Sequence, residues 1–342
     1  MIQVLEPGFF TTLQDLGRPG FGHLGVPTAG AADSFSLRVA NHLVGNPDAA
    51  AALEMTSQGA TLAFDAPAYV ALTGAEVDAT LDGQPLPMHQ TIAVPAGAVL
   101  RSGRIRTGLR CYLAVAGGIV VPKVMGSASA DTLAGLGPPA LTAGMQLETG
   151  APAQITGFYL RAPPRYGDSA TLRIMPGPQE DWFDAAAPGQ LLESEYRVLP
   201  QSDRSGLRLE GKILARNRRE ELKSMGVVAG SVQVPGSGQP IVLLANHGAT
   251  GGYPVIANVI SADLPVLGQL AAGARLRFAP LNRAEALALL RAQEERLERD
   301  IVPADAALLA ARALITLAGQ HTSLKQAAVS AGDRRIRIRR GN

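Results

Sequence analysis

Residues 226–269 read GVVAGSVQVPGSGQPIVLLANHGATGGYPVIANVISADLPVLGQ. Three short runs in this stretch are rich in apolar and β-branched residues and predict strands, at residues 230–234, 241–244 and 255–260. The first two are joined by Pro235-Gly236-Ser237-Gly238, whose residues preset or tolerate the dihedral angles of a tight turn. The stretch therefore predicts a unit built from short, closely spaced strands.

A polar loop of nine residues, Asn246–Pro254, joins the second and third predicted strands. It places an amide, an imidazole, a hydroxyl and a phenol around three glycines. Glycine lets a backbone approach a ligand closely and present N–H donors, and Gly251-Gly252 predicts either such an approach or a positive φ. A plain hairpin turn needs only roughly two to five residues. The loop is therefore interpreted as part of a site rather than as a decorated turn.

The rest of the chain predicts a mainly β protein with a few helices. Between residues 52 and 118, short apolar runs separated by turn signals predict strands at 60–64, 69–73, 77–81, 91–94, 99–101 and 110–115, and Asp82-Gly83 is a strong hairpin signal among them. Asp33 is a suitable N-cap for a helix at 33–44, and Asn282 with Glu285 suits a capping box for a helix that runs to about residue 300.

The chain of 342 residues is long enough for two domains. Prolines at 152, 163 and 164 suggest a linker between two β-rich halves. We predict an N-terminal β-rich domain at residues 1–155, a C-terminal β-barrel domain at 156–300, and a helical extension with a basic tail at 301–342.

Composition and charge argue against several classes of protein. Hydrophobic residues make up 46% of the chain and charged residues 18%, which indicates a globular protein. Net charge is +2, but five arginines lie after residue 333, so the remainder carries 26 basic against 29 acidic residues and is a poor candidate for nucleic-acid binding. No apolar run reaches the roughly 20 residues of a membrane span, and the start MIQVLEPGFF lacks the features of a secretion signal. A cytoplasmic protein is expected.

Three short motifs are rejected on their context. The GFGHLG stretch at 20–25 fits a dinucleotide-binding pattern, but prolines flank it on both sides. Residues 206–212 are close to a phosphate-binding loop, but Ile213 replaces the residue that would hold magnesium. The five histidines form no close pair, so no metal site is predicted from local sequence.

Charged residues cluster in two turn-rich segments. Asp15, Arg18, Asp33 and Glu54 form the first set, and Asp203-Arg204 belongs to the second. A carboxylate beside an arginine can recognise an amide or carboxylate substrate, or can simply fix a loop. Both interpretations stay open for each residue, and we hypothesise that Asp203-Arg204 and the Asn246–Pro254 loop face one cleft.

Several long motifs together resemble the allophanate hydrolase subunit 2 family, also called the biotin-dependent carboxyltransferase family. The motifs are TTLQDLGRPGFGHLGVPTAGAADSFSLRVANHLVGN, YLAVAGGIVVPKVMGS, SDRSGLRLEG and VAGSVQVPGSGQPIVLLANHGATGGYP. The resemblance, strongest to the C subunits of bacterial 5-oxoprolinases, implies two cyclophilin-like β-barrel domains. It also implies a role beside the A and B subunits in the ATP-dependent opening of 5-oxoproline, a cyclic amide, to glutamate.

Partners and site residues follow from the resemblance taken with the loop and the charged clusters. We expect a B-type partner (allophanate hydrolase subunit 1), with an A-type subunit as a further candidate partner. The expected substrate is an amide or lactam, and ATP is expected in the complex. The chain alone should show little activity. The predicted catalytic residues are His247, Thr250, Asp203 and Arg204. The predicted substrate-binding residues are Gln14, Asp15, Arg18, Asp33, Glu54, Gln233, Asn246, Gly251, Gly252 and Tyr253.

The sequence departs from the family pattern at four positions and around Gly137-Pro138-Pro139, where a Gly-Gly-x-x-Gly-Arg stretch is usual. Asn246 stands where an aspartate is usual, Gly248 where a glutamine, Ala128 where an arginine and Met225 where a glutamate. Asparagine can form hydrogen bonds but cannot act as a base, whereas His247 can. Two alternatives therefore stay open. One is a carboxyltransferase that moves a carboxyl group from carboxybiotin, borne by a partner, to a urea-like amide. The other is a non-enzymatic regulator that binds a B-type protein.

Overall fold

The computed structural model describes residues 1–152, 157–218, 222–305 and 307–312. Its N-terminal half is one ten-stranded sheet in the order β2-β3-β8-β4-β1-β10-β9, with β5 paired to β6, β7 and β8. The strands are β1 Ile2–Glu6, β2 Phe10–Gln14, β3 Ala52–Thr56, β4 Thr61–Phe64, β5 Ala68–Leu81, β6 Gln84–Pro85, β7 Ile92–Val94, β8 Val99–Val115, β9 Ile119–Val120 and β10 Gln146–Thr149.

Two long strands replace pairs of shorter predicted ones in this sheet. The predicted strands at 69–73 and 77–81 are one strand, β5, whose pairing with β8 shifts register after Gly74. Gly74 has φ of +87°, and a Cβ there would lie 2.7 Å from the Arg110 carbonyl oxygen. The glycine therefore marks a bulge within a strand rather than a turn between strands. The Asp82-Gly83 hairpin is confirmed, since Leu81 pairs with Gln84 across a two-residue turn at positive φ.

The C-terminal half contains a closed barrel in the order β12-β19-β16-β17-β14-β13-β20. Its barrel strands are β12 Ser169–Pro176, β13 Tyr196–Val198, β14 Gly206–Glu210, β16 Ser231–Gln233, β17 Ile241–Leu243, β19 Val255–Val259 and β20 Arg275–Pro280. Outside it, β15 Met225–Gly226 pairs with β18 Thr250–Gly251, and β11 Phe158–Leu160 pairs with β21 Ile301–Pro303. Strands β12 and β20 pair in parallel, and that pairing closes the barrel.

The strands are accompanied by the α-helices α1 Ser34–Leu43, α2 Ala187–Glu193, α3 Leu264–Leu267 and α4 Arg283–Asp300, and residues 307–312 are helical as well. Short 3-10 helices occupy Gly22–Leu24, Glu180–Trp182 and Ser261–Asp263. Both capping predictions are confirmed: the Asp33 side chain accepts from Ser36 N, and Asn282 and Glu285 form a reciprocal capping box. None of these helices has the length and apolar character needed to cross a membrane.

The mainly β prediction is confirmed, with one difference from the expected pair of barrels. The C-terminal strands close into a barrel, whereas the N-terminal strands form a sheet whose first and last members do not pair. Leu160, Leu297 and Ile301 come from after the predicted boundary and pack with α1 of the first half. The boundary itself lies in residues 153–156, outside the described part of the chain, as does the tail at 313–342, so the division into domains stays a prediction.

Candidate functional site

A buried carboxylate, Glu54 on β3, is the centre of a polar network between the sheet and the barrel. The residue is 1% exposed. Its oxygens accept hydrogen bonds from Arg204 Nη1, from Tyr112 Oη at 2.8 Å and from the Ala32 backbone N–H at 2.9 Å. Arg110 Nε lies 3.4 Å from Oε1 as a second ion pair, without the alignment of a hydrogen bond.

The two arginines decide the protonation state of Glu54. Burial alone would raise the pKa of its carboxyl, but the charges of Arg204 and Arg110 outweigh burial and hold that pKa below its ordinary value. Glu54 and Tyr112 are brought together by the register of β3 against β8. Arg204 instead enters from the turn before β14, so the Glu54–Arg204 pair joins the sheet to the barrel.

Asn246 extends this network into the predicted site loop. Its backbone N–H donates to the Arg204 carbonyl at 2.9 Å, its Oδ1 accepts from Arg204 Nη2 at 3.2 Å, and its Nδ2 donates to Asp131 Oδ1 at 3.2 Å. An aspartate in place of Asn246 would set a second carboxylate against Asp131. The amide therefore suits this chain because it accepts from a cation and donates to an anion.

Asp15 fixes the segment that presents Asp131. Its Oδ1 accepts from the hydroxyls of Ser127 and Ser129, each at 2.6 Å, and its Oδ2 accepts from Ala128 N at 2.7 Å. The side chain is 4% exposed. Asp15, a predicted substrate-binding residue, thus lies against its own protein and orders the 127–131 segment.

Gln14 and Arg18 support the same segment. Gln14 Nε2 donates to the Ala130 carbonyl at 3.0 Å, and Arg18 donates to the carbonyls of Ser129 and Val124. Both residues are buried, at 0% and 1% exposed. Sequence reasoning placed them in a site without indicating that their partners lie more than a hundred residues away in the chain.

A second clasp between sheet and barrel centres on Asp33. Besides capping α1, its Oδ2 accepts from Gln269 Nε2 at 2.8 Å, Tyr166 Oη at 2.7 Å and Ser36 Oγ at 2.7 Å. Burial raises the pKa of the Asp33 carboxyl, although these hydrogen bonds oppose the rise. Gln269 Oε1 also accepts a hydrogen bond from the Arg110 backbone N–H at 3.0 Å. The Gln269 side chain therefore links the N-terminus of α1 to strand β8.

Sequence reasoning missed several members of these networks, among them Arg110, Tyr112, Asp131, Tyr166 and Gln269. A signal existed for Arg110, because a charged residue at the head of the apolar run Cys111–Val115 requires a buried partner. No comparable signal marks Gln269, whose partners are set only by the docking of the barrel on the sheet.

A groove of about 320 Å³ opens between the two halves, with His247 as the titratable group in its wall. Small apolar residues such as Ala29 and Ala32 line it on one side, and Val228 and Leu244 on the other. His247 Nδ1 lies 2.7 Å from the Gly248 carbonyl oxygen, which places the ring proton on Nδ1 and leaves Nε2 with a lone pair. Burial lowers the pKa of His247, so the ring is a neutral base near pH 7.

The loop from Asn246 to Pro254 is not a hairpin turn. Strands β17 and β19, which it connects, are separated in the barrel by β16. Within the loop, Thr250-Gly251 forms strand β18 against β15, and Thr250 and Tyr253 are exposed. Of this loop, His247 lines the groove, and Thr250 and Tyr253 present polar groups on the protein surface.

The two glycines of this loop serve different purposes. Neither has the positive φ that sequence reasoning allowed. A Cβ on Gly251 would lie 2.3 Å from Gln233 Nε2, whereas the nearest atom to a Cβ on Gly252 is 3.6 Å away. Gln233 is 5% exposed and its Nε2 donates to the Tyr253 carbonyl at 3.4 Å, so it supports the loop from beneath.

Asp203 is separate from the network that its neighbour Arg204 enters. It is exposed, and its Oδ1 accepts the backbone N–H groups of Ser205 at 2.7 Å and Gly206 at 3.3 Å. The side chain therefore caps its own turn. Among the residues that the structure describes, no three His, Cys, Asp or Glu side chains converge in a way that would hold a metal ion.

Comparison with known proteins agrees with the motifs. Residues 24–280 match the family model described as carboxyltransferase domain, subdomain A and B. The chain is 39% identical over 304 residues to the C subunit of 5-oxoprolinase from Escherichia coli (strain K12), covering 87% of this chain and 97% of that protein. It is 36% identical over 302 residues to the C subunit of 5-oxoprolinase from Haemophilus influenzae, with the same coverage.

A solved structure shows the same architecture within a larger enzyme. The crystal structure of the K. lactis urea amidolyase superposes with a TM-score of 0.80 at 26% identity. The match covers 88% of this chain but 21% of that chain, so this chain corresponds to about a fifth of the larger enzyme.

Proposed function

The chain belongs to the carboxyltransferase family of subdomains A and B, and we propose that it is the C subunit of an ATP-dependent 5-oxoprolinase. In this role it opens 5-oxoproline to glutamate together with the A and B subunits, in the cytoplasm. The observation that carries the proposal is the match to two proteins of that name, at 36% and 39% identity, each covered to 97% of its length.

The groove supplies chemistry that suits hydrolysis of a cyclic amide. Water must add to the carbonyl carbon, the C–N bond must break, and the ring nitrogen must gain a proton. The lone pair on His247 Nε2 is suited to take the proton of the attacking water. The Thr250 hydroxyl and the exposed Gly252 backbone, three and five residues after His247 on the same loop, are the donors assigned to the oxyanion that develops in the complex.

The buried network positions these groups rather than reacting itself. Arg204 is committed to Glu54, to the Gly30 carbonyl and to Asn246, which precedes His247 in the chain. We therefore assign Arg204 and Asn246 the task of fixing the loop, in place of the substrate-anion contact expected for Arg204 from the sequence. ATP acts in the assembled complex, and biotin enters only as a partner-borne group in the second candidate function.

The rim of the groove supports the need for a partner. Leu16, Val228 and Tyr253 are 37%, 60% and 47% exposed, and Leu16 and Val228 line the groove. Exposed apolar side chains around a polar loop are typical of a protein interface. A B-type protein seated here would cover the groove and separate His247 and its attacking water from bulk solvent.

A second candidate function is transfer of a carboxyl group from carboxybiotin to a urea-like amide. It is favoured by the TM-score of 0.80 against a urea amidolyase. Both reactions place an amide in the groove, and they differ in whether water or carboxybiotin supplies the second reactant.

Reconstitution separates the two candidates. The chain is purified alone and together with A-type and B-type proteins, and glutamate formation from 5-oxoproline is measured with and without ATP. We expect ATP-dependent glutamate only from the complete mixture. Activity of the chain alone, or carboxylation of urea by carboxybiotin without any glutamate formation, would contradict the proposal.

A further inference from the structure

A second cavity, of about 540 Å³, lies apart from the groove at His247 and shares no lining residue with it. Its wall comes from β5 at residues 74 and 76, from Met88-His89, from Leu160 on β11, from the segment 163–166 and from Arg312. The size is within the range of cavities that hold small molecules, roughly 300–1,000 Å³.

Two guanidinium groups give this cavity a positive charge. Arg165 is exposed, and neither Arg165 nor Arg312 forms an ion pair with any residue in the described ranges. Arg312 stacks on the Tyr159 ring at 3.8 Å, which holds its side chain in place. Its Nε is shielded from solvent and lacks a hydrogen-bond partner within the described residues.

An acidic residue, Glu76, shares the wall. Its carboxylate lies 3.3 Å from the Thr107 hydroxyl, which donates to it. With a neutral His89, two arginines against one glutamate leave the described lining with a net charge of one positive unit.

His89 adds an uncharged polar group that lacks a partner in the described part of the chain. Its backbone is held at φ of 60° by hydrogen bonds from its N–H to the Leu72 carbonyl at 2.7 Å and from Leu160 N–H to its carbonyl at 2.9 Å. The ring Nδ1 is shielded from bulk solvent and has no hydrogen-bond partner among the described residues. Burial lowers the pKa of His89 to about 4, so the ring offers one donor and one acceptor without charge.

The rest of the wall is apolar. Met88, Leu160, Pro163 and Pro164 supply it. We propose that this cavity binds a small organic monocarboxylate, its carboxylate between Arg165 and Arg312 and its short hydrocarbon part against the apolar wall. A monoanion matches the net charge of the lining, and the planar guanidinium fork matches a carboxylate.

Calorimetric titration of the full chain tests the proposal with three probes: butyrate, its neutral analogue butyramide, and inorganic phosphate. We expect butyrate to bind at least about tenfold more tightly than butyramide, because the neutral amide cannot form the charge-assisted hydrogen bonds that a carboxylate forms with guanidinium groups. Phosphate should bind more weakly than butyrate. Butyrate that binds no better than butyramide, or phosphate that binds more tightly than butyrate, would overturn the assignment.

Matched variants locate the binding. Arg165→Gln should weaken butyrate binding about tenfold, whereas Arg161→Gln, an exposed arginine outside the lining, should leave it unchanged. Both sites are exposed, so unchanged melting temperatures are expected, and Arg312→Gln provides a second test of the lining. Loss of butyrate binding in His247→Ala with retention in Arg165→Gln would place the probe in the groove and refute the proposal.

Discussion

Arg204 of the barrel and Glu54 of the ten-stranded sheet form a buried ion pair, at 7% and 1% exposure, across the junction of the two halves. A second arginine, Arg110, lies on the same carboxylate. The pair holds Arg204 beside Asn246 and so sets the position of the loop that carries His247. The contact that docks the barrel on the sheet therefore also sets the geometry of the groove.

Removing the shared carboxylate should destabilise the whole chain. Glu54→Gln leaves two buried guanidinium groups facing each other, and breaking a buried ion pair typically costs about 3–5 kcal/mol. Urea denaturation measures the loss. The control is Arg218→Ala, which removes an exposed pair with Asp181 and should change stability by less than about 1 kcal/mol. Equal effects of the two substitutions would contradict the role of Glu54.

The contribution of Glu54 should depend on pH with a defined sign. Its folded pKa lies below the ordinary value of 4.5, so the unfolded chain takes up a proton first as the pH falls. The stability difference between wild type and Glu54→Gln should therefore be full above pH 4.5 and shrink below it. Asp33, whose pKa is raised, contributes in the opposite direction and loses its contribution as the pH rises. A difference that stays constant down to the acid transition would argue against the paired carboxylate.

His247 and Thr250 should affect turnover and not assembly. His247→Ala and Thr250→Ala are each expected to lower kcat/KM of the reconstituted complex by about a hundredfold or more. His23→Ala, an exposed histidine outside the groove lining, is the control. Partner binding, measured on the same samples, should be unchanged. Wild-type turnover in both variants would remove the loop from the catalytic site.

The pH profile of turnover gives a separate test of His247. Its pKa is lowered from 6.5 by burial, so the neutral base persists to pH values below 6.5. We expect kcat/KM of the wild-type complex to be flat from about pH 6.5 upward and to fall on the acid side, with that acid limb missing in His247→Ala. An acid limb centred above pH 6.5 would indicate a different base.

The adjacent glycines allow a matched comparison. Gly251→Ala places a methyl group against Gln233 Nε2 and should displace the support of the loop, while Gly252→Ala meets no atom closer than 3.6 Å. We expect Gly251→Ala to lower turnover about tenfold or more, because small misplacements of catalytic groups are costly, and Gly252→Ala to stay near wild type. Equal activities would show that Gln233 accommodates the methyl group.

Local chemistry in the sequence predicted the elements of the fold. Asp33 and Asn282 cap helices and Asp82-Gly83 turns a hairpin because those side chains act on backbone within a few residues of themselves. Three of the seven barrel strands, β16, β17 and β19, were predicted from runs of apolar and β-branched residues, which are also a local property of the sequence. The runs at 69–73 and 77–81 were predicted as separate strands, since the bulge at Gly74 that joins them depends on a partner strand 36 residues further on, at Arg110.

The partners of the charged residues were decided by tertiary structure alone. The sequence placed Asp15, Arg18 and Glu54 in one charged cluster and Arg204 in another, because charges in turn-rich segments need partners. In the folded chain, Asp15 and Arg18 form hydrogen bonds with the 124–131 segment, and Glu54 pairs with Arg204, 150 residues away. Such pairings depend on how the sheet and barrel dock, and a buried charge accepts whichever counter-charge that docking brings within hydrogen-bond distance.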